Sequence, residues 1–184
     1  MAEAEPVDPA DIDSVAVEPD HCHRCGTTVE YREWEGREHP WCPNCDLLLS
    51  RNPVAGVHVV VHDDERVLLL DEPIPQHEGL LSLPGGFAKP DEGPKEAGLR
   101  ELEEETGLRG DPDDLGFLTA HHAEFPETAV YLLTYALRRS DVSGELTPEF
   151  ENGRASFDRF DDLRASPGGI RDSDVERIGM AFEE

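Results

Sequence analysis

The 184-residue sequence predicts an α/β protein: an α/β/α sandwich around a mixed sheet, with a small metal-stapled module in front of it. Short β-branched and apolar runs fall on both sides of one amphipathic helix, and a second helix closes the chain. That mix of elements packs as helices over the faces of a sheet. Ahead of them stand four cysteines in two C-x-x-C pairs, Cys22/Cys25 and Cys42/Cys45. A segment of roughly 30 residues cannot stabilise itself by burial alone, so a cross-link there answers a physical need. The expected partition is a tail at 1–20, a cysteine module at 21–52 and the sandwich at 53–184.

Residues 1–20 hold seven carboxylates, three prolines and no basic residue, the composition of a disordered, solvated tail. No cationic start followed by an apolar stretch marks a signal sequence. No apolar run approaches the roughly 18 residues of a membrane span. The cytoplasm is the expected compartment.

In residues 21–52, sixteen residues separate Cys25 from Cys42. Two C-x-x-C knuckles at this separation read as a four-thiolate Zn²⁺ ribbon, each pair sitting in a tight turn that suits tetrahedral coordination. Two disulfides are the competing reading, and they require an oxidising compartment. A closed four-cysteine site is structural, since it leaves no position open to substrate. His21, His23 and His39 are expected near the site or in solvent, not as ligands.

Val54–His62 and Arg66–Asp71 read as a hairpin turned by Asp63-Asp64-Glu65. Leu80–Leu83 is a short strand running into Pro84-Gly85-Gly86. Gly93-Pro94 opens a helix over 94–106, with Pro at the first helical position and Gly107 followed by Leu108 as the stop. Phe117–Glu124 and Ala129–Arg138 are two further strands, the second apolar enough to lie centrally, and Ala155–Phe157 is one more. In a closing helix from about Asp172 to Phe182, Val175, Ile178 and Phe182 recur at helical spacing and face the core.

The helix at 94–106 carries the chemistry. At about 100° per residue, Glu101, Glu104 and Glu105 fall within an arc of roughly 100°, while Leu99, Leu102 and Thr106 cluster nearly opposite. Like charges three and four residues apart repel, so this face calls for an offsetting cation or plentiful water. Hard oxygen ligands suit Mg²⁺ or Mn²⁺, which keep positions open for substrate phosphates.

Gly86, Glu92, Arg100-Glu101, apolar Leu102, Glu104-Glu105, Gly107 and apolar Leu108 stand at every specified position of G-x5-E-x7-R-E-U-x-E-E-x-G-U. The sequence thus resembles the Nudix hydrolases, whose signature this is. Even in a chain this rich in Glu, chance would supply the seven fixed identities in about one window in 10⁶. The resemblance implies a Nudix fold and hydrolysis of a phosphate anhydride. It assigns Glu101, Glu104 and Glu105 as ligands of Mg²⁺ or Mn²⁺, with Glu101 also the general-base candidate within the signature. Arg100, pointing off the metal face, would pair with Glu92 and orient the carboxylates, and Gly86 would leave its carbonyl free for the metal.

The order cysteine module, Asn52-Pro53, then signature resembles the zinc-ribbon subgroup, which includes NADH pyrophosphatases and relatives acting on FAD or ADP-ribose. In place of the S-Q-P-x-P-F-P-x-S array of the NADH enzymes this sequence has HHAEFPE at 121–127. The implied substrate is therefore a nucleoside diphosphate linked to another group, of ADP-ribose, FAD or NADH type. His121 and His122 are candidates to meet its phosphates. Phe125, with Phe87, Tyr131 and Phe157, is a candidate to clamp a ring, and Glu149 and Glu151 are candidates for a base supplied by a late loop. A homodimer is the assembly the resemblance implies. The alternative is a catalytically silent nucleotide sensor, although sensors of this family often lack carboxylates that this chain keeps.

With 42 acidic and 16 basic residues the formal charge is −26, so phosphate backbones are repelled and nucleic acid is not an expected partner. Lys89 and Lys95 are the only lysines. Acid excess with scarce Lys resembles proteins of salt-loving organisms, where a Debye length of about 3 Å at 1 M salt screens self-repulsion.

Overall fold

The computed structural model describes residues 19–49, 53–71, 79–124, 129–150, 153–165 and 169–183. Most of the tail expected at 1–20, Asn52, Phe125 and Glu151 lie outside the described residues.

The cysteine module contains β1 (Glu30–Trp34), β2 (Arg37–Cys42) and β3 (Leu47–Leu48), an antiparallel sheet in that order. Trp34 pairs with Arg37 across a two-residue turn in which Glu35 and Gly36 both have positive φ, the geometry tight hairpins favour.

The larger sheet is built on β4 (Val54–His62), buried at every position from Gly56 onward. β5 (Arg66–Asp71) returns beside it, and Asp63 closes the turn by accepting the backbone N–H groups of Glu65 and Arg66. β6 (Leu81–Ser82) pairs with β5, and β7 (Gly85–Phe87) pairs with the first half of β4. After α1 (Pro94–Thr106), β8 (Gly116–Glu124) and β9 (Ala129–Arg138) form a hairpin. β9 then lies parallel to β4, from Val54 opposite Val130 to His62 opposite Arg138. β10 (Ala155–Arg159) closes the far edge against β5, giving the order β10-β5-β4-β9-β8. One parallel pairing among antiparallel ones makes the sheet mixed, as expected.

Alternate residues of β4 face opposite layers. Val57, Val59 and Val61 pack with Ala97 and Leu102 of α1, whereas Val60 packs with Ile178 and Ala181 of α3 (Asp172–Glu183). These two cores make the α/β/α sandwich. The chain also has α2 (Phe160–Ala165), a third helix that the sequence reading did not include. It is a six-residue element, too short to display a helical period. Among the described residues no helix is long and apolar enough to cross a membrane.

Candidate functional site

α1 begins at Pro94 and stops at Gly107, whose φ of 71° is left-handed and whose N–H donates to Glu103 O. That αL conformation carries little penalty only for glycine. Leu102 and Thr106 are fully buried, and Leu99 is half-buried against the same core. The opposite side carries Glu101, Glu104 and Glu105, and the last turn has no basic residue. The helix C-terminus adds its own partial negative charge, so this end of α1 has a strong demand for cations.

Two glycines bring β7 against that face. Gly85 N donates to Glu105 Oε2 at 2.9 Å. A Cβ on Gly86 would lie 2.5 Å from Glu101 Oε1, so only glycine admits the Glu101 carboxylate here. Glu105 is mostly buried, and burial pushes its carboxyl up to about 8. The Gly85 N–H opposes this shift, whereas Glu101, Glu149 and Glu104 add to it. A carboxyl this reluctant to ionise becomes an anionic ligand when a divalent ion supplies the missing positive charge.

Arg100 departs from the expected arrangement. It does pair with Glu92, through Nε at 3.0 Å and Nη2 at 2.7 Å. It does not point off the carboxylate face, because Nη1 also donates to Glu101 Oε1 at 2.7 Å and Glu104 Oε2 at 2.9 Å. A guanidinium has enough donors in one plane to serve three carboxylates, and their repulsion draws it in. The Arg100 hydrogen bonds, with the Lys89 N–H, hold Glu92 down to about 2. Arg100 itself is pushed up, chiefly by Glu92.

The late loop reaches the same end of α1. Thr147 N donates to Thr106 O at 2.9 Å, and Glu149 N donates to Glu105 O at 3.1 Å. Glu149 is thus tethered one hydrogen bond from the backbone of Glu105, close enough to raise that group's pKa. The two histidines sit inside β8 and separate. His122 lies against Tyr131 in a tilted ring pair, centroids 4.9 Å apart and planes at 33°. His121 lines a small cavity of about 70 Å³ with Thr119, Ser173, Glu176, Arg177 and Met180. Phe87 and Tyr131 are about half exposed, while Phe157 packs against the α1 core.

The ligand atoms of Cys22, Cys25, Cys42 and Cys45 all lie within 4.8 Å of one another, in a group that takes in no histidine. The Thr27 hydroxyl and N–H bring Cys25 down to about 5, and Cys25 in turn is the main cause that pushes Cys45 up to about 12. Sulfurs so crowded cannot all be thiolates without a shared cation.

The sequence reading missed a largely buried polar cluster around Asp174. Asp174 of α3 accepts from Arg171, Arg177 and the Leu83 N–H. His58 on β4 is buried beside Gly85. The cluster joins residues far apart in the chain, Leu83 and Asp174 being 91 positions apart, and no short motif signals such a group.

Residues 52–175 match the NUDIX domain family. With that match over most of its length, and this fold, the chain belongs to the Nudix family. YjhB of Bacillus subtilis, provisionally named an ADP-ribose pyrophosphatase, is 27% identical over 132 residues, covering 71% of this chain and 61% of its own. The ADP-ribose pyrophosphatase of Methanocaldococcus jannaschii is 37% identical over 60 residues, covering 33% of this chain and 36% of its own. The chain therefore spans less than two thirds of either relative. A solved Nudix hydrolase from Nitrosomonas europaea shares the fold with a TM-score of 0.61 and 22% identity, covering 90% of this chain and 92% of that one.

Proposed function

We propose that the chain is a metal-dependent hydrolase that cleaves the pyrophosphate linkage of a nucleoside diphosphate joined to another group. The observation that carries this is the meeting of Glu101 and Glu105 with the Gly85-Gly86 backbone at the negative end of α1, with Glu104 joined to Glu101 through Arg100. Those carboxylates and the Gly86 carbonyl would hold Mg²⁺ or Mn²⁺, which when bound neutralises charge on the bridging oxygens and acidifies water. Arg100 fixes the directions of Glu92, Glu101 and Glu104 and keeps the acidic face assembled. Glu101 within the signature, and Glu149 from the late loop, whose N–H is bonded to Glu105 O, are the groups proposed to take the proton of the attacking water. Water adds to one phosphorus and the bridging P–O bond breaks, which releases two phosphorylated products.

The names of the two relatives favour the ADP-ribose class among substrates of ADP-ribose, FAD or NADH type. The cavity beside His121 and the exposed, tilted Tyr131–His122 ring pair are the surfaces proposed to receive the ends of such a molecule. The cysteine group at 21–52 is read as a structural Zn²⁺ ribbon in front of a Nudix domain at 53–184, and its four mutually close sulfurs support one tetrahedral ion over two separate disulfides. A cytoplasmic protein of a salt-loving organism is the setting this composition favours.

The test is to incubate the purified protein, in molar KCl with Mg²⁺ or Mn²⁺, against ADP-ribose, NADH, FAD, diadenosine polyphosphates and nucleoside triphosphates. ADP-ribose should give AMP and ribose 5-phosphate. A protein that binds Mn²⁺ yet cleaves none of these would sink the hydrolase reading in favour of the sensor.

A further inference from the structure

The segment that delivers Gly85 and Gly86 to the carboxylates runs within the sheet from β6, beside β5, to β7, beside β4, and it is fastened along the way. Leu81 N donates to Gly169 O at 3.0 Å, just ahead of α3, and Leu81 bridges Ile170. Pro84 O accepts from Val59 N at 3.0 Å. Gly85 N reaches Glu105. Between these points Leu83 N meets a side chain, Asp174 Oδ2 at 3.4 Å.

Asp174 has no exposed surface. Arg171 Nη2 lies 3.1 Å from Oδ2, and Arg177 donates to Oδ1. A carboxylate so deep persists only with its charge matched, and the two guanidiniums fix where its oxygens point. His58 is buried beside Gly85, its Cδ2 only 2.6 Å from where a Gly85 Cβ would be, and it lies within range of the charges of Arg177, Asp174 and Arg171. Displacement of Asp174 would therefore pass through Leu83, two residues ahead of Gly85, to the glycines facing Glu101 and Glu105.

We infer that Asp174 is a positioning residue for the metal-binding loop, holding β7 against the α1 carboxylates from the opposite layer of the fold. This rests on the metal assignment of the proposed function, but its test reads binding directly and does not require turnover.

The test uses the full chain with its zinc retained, in molar KCl. Mn²⁺ binding is followed by the electron paramagnetic resonance of the free ion, with thermal midpoints recorded alongside. Asp174→Asn and Asp174→Ala should weaken Mn²⁺ binding roughly 10-fold, the usual effect of losing a residue that orients a metal site. Ile178→Ala removes fully buried packing from the same helix; it should lower the midpoint and leave Mn²⁺ affinity within about twofold. Wild-type affinity in the Asp174 variants, or an equal loss in Ile178→Ala, overturns the inference. Should Asp174→Ala fail to fold, the isosteric Asp174→Asn decides. Mn²⁺ binding by the wild type without cleavage of any nucleotide would count against the hydrolase and leave this inference to stand or fall on the variants.

Discussion

Gly86→Ala should cut turnover roughly 100-fold while leaving the protein folded. The added Cβ would meet Glu101 Oε1 at 2.5 Å, Cδ at 2.6 Å and Oε2 at 2.9 Å, against an ordinary contact of 3.4 Å or more. The carboxylate must therefore retreat by roughly 0.9 Å, the difference between 3.4 and 2.5 Å. Because the clash is with the far end of a flexible side chain, rotation of Glu101 relieves it for about 1 kcal/mol, which lowers the thermal midpoint by only a few degrees. A misplacement of about 1 Å in a catalytic group costs roughly 100-fold in rate. The neighbouring position gives the contrast. At Gly85, φ is 153° and a Cβ would lie 2.1 Å from Val57 O and 2.8 Å from His58 Cα, which are backbone atoms that cannot step aside. Gly85→Ala should cost about 3 kcal/mol or more. Turnover with saturating Mn²⁺ and calorimetric midpoints on both variants would separate the two effects. Full turnover in Gly86→Ala, or wild-type stability in Gly85→Ala, would refute the geometry.

Glu105 has a folded-state value near 8, above its ordinary 4.5, so its contribution to stability is complete below about pH 4.5 and is lost as pH rises through 8. Protein stripped of Mg²⁺ and Mn²⁺ should lose stability between those limits, by at most something on the order of 5 kcal/mol. Glu105→Gln should blunt that fall and added Mn²⁺ should reverse it; a profile identical to wild type in the variant would count against the burial argument. Arg100→Lys keeps the charge but cannot fork between Glu92, Glu101 and Glu104, so turnover should drop about 10- to 100-fold, and an unchanged kcat would dismiss the orienting role. Metal analysis should find about one zinc per chain, and Cys42→Ser should lose it together with the folded cysteine module. Mass spectrometry showing two stoichiometric disulfides would overturn that assignment.

The parts legible in the sequence are those specified locally. The periodicity of 94–106 places the carboxylates and Leu102 on opposite sides of one helix, and the cysteine spacing brings four sulfurs together. The hairpin at 54–71 announces itself through β-branched runs about a polar turn. What was not legible depends on residues far apart. β7, a Gly-Gly-Phe triplet, has no period of its own and is a strand because Val57 lies opposite Gly86. The parallel register of β4 and β9 depends on the crossover that carries α1. Arg100 turns toward Glu101 and Glu104 because the carboxylates on one face draw in the nearest large cation, which spacing shows only as adjacency. Asp174 reads as an ordinary polar position in a closing helix until the fold buries it.

Every α-helix ends in acceptors that its own ladder cannot fill. Here the bonds from Thr147 and Glu149 turn that deficit into a ruler, because the loop is indexed to α1 one carbonyl at a time. Removing one residue between 144 and 147 would shift Glu149 by about 3.3 Å and put both the Thr147–Thr106 bond and the packing of Leu146 on the α1 core out of step. The length of the loop from 144 to 149 thus sets where Glu149 stands along the end of α1.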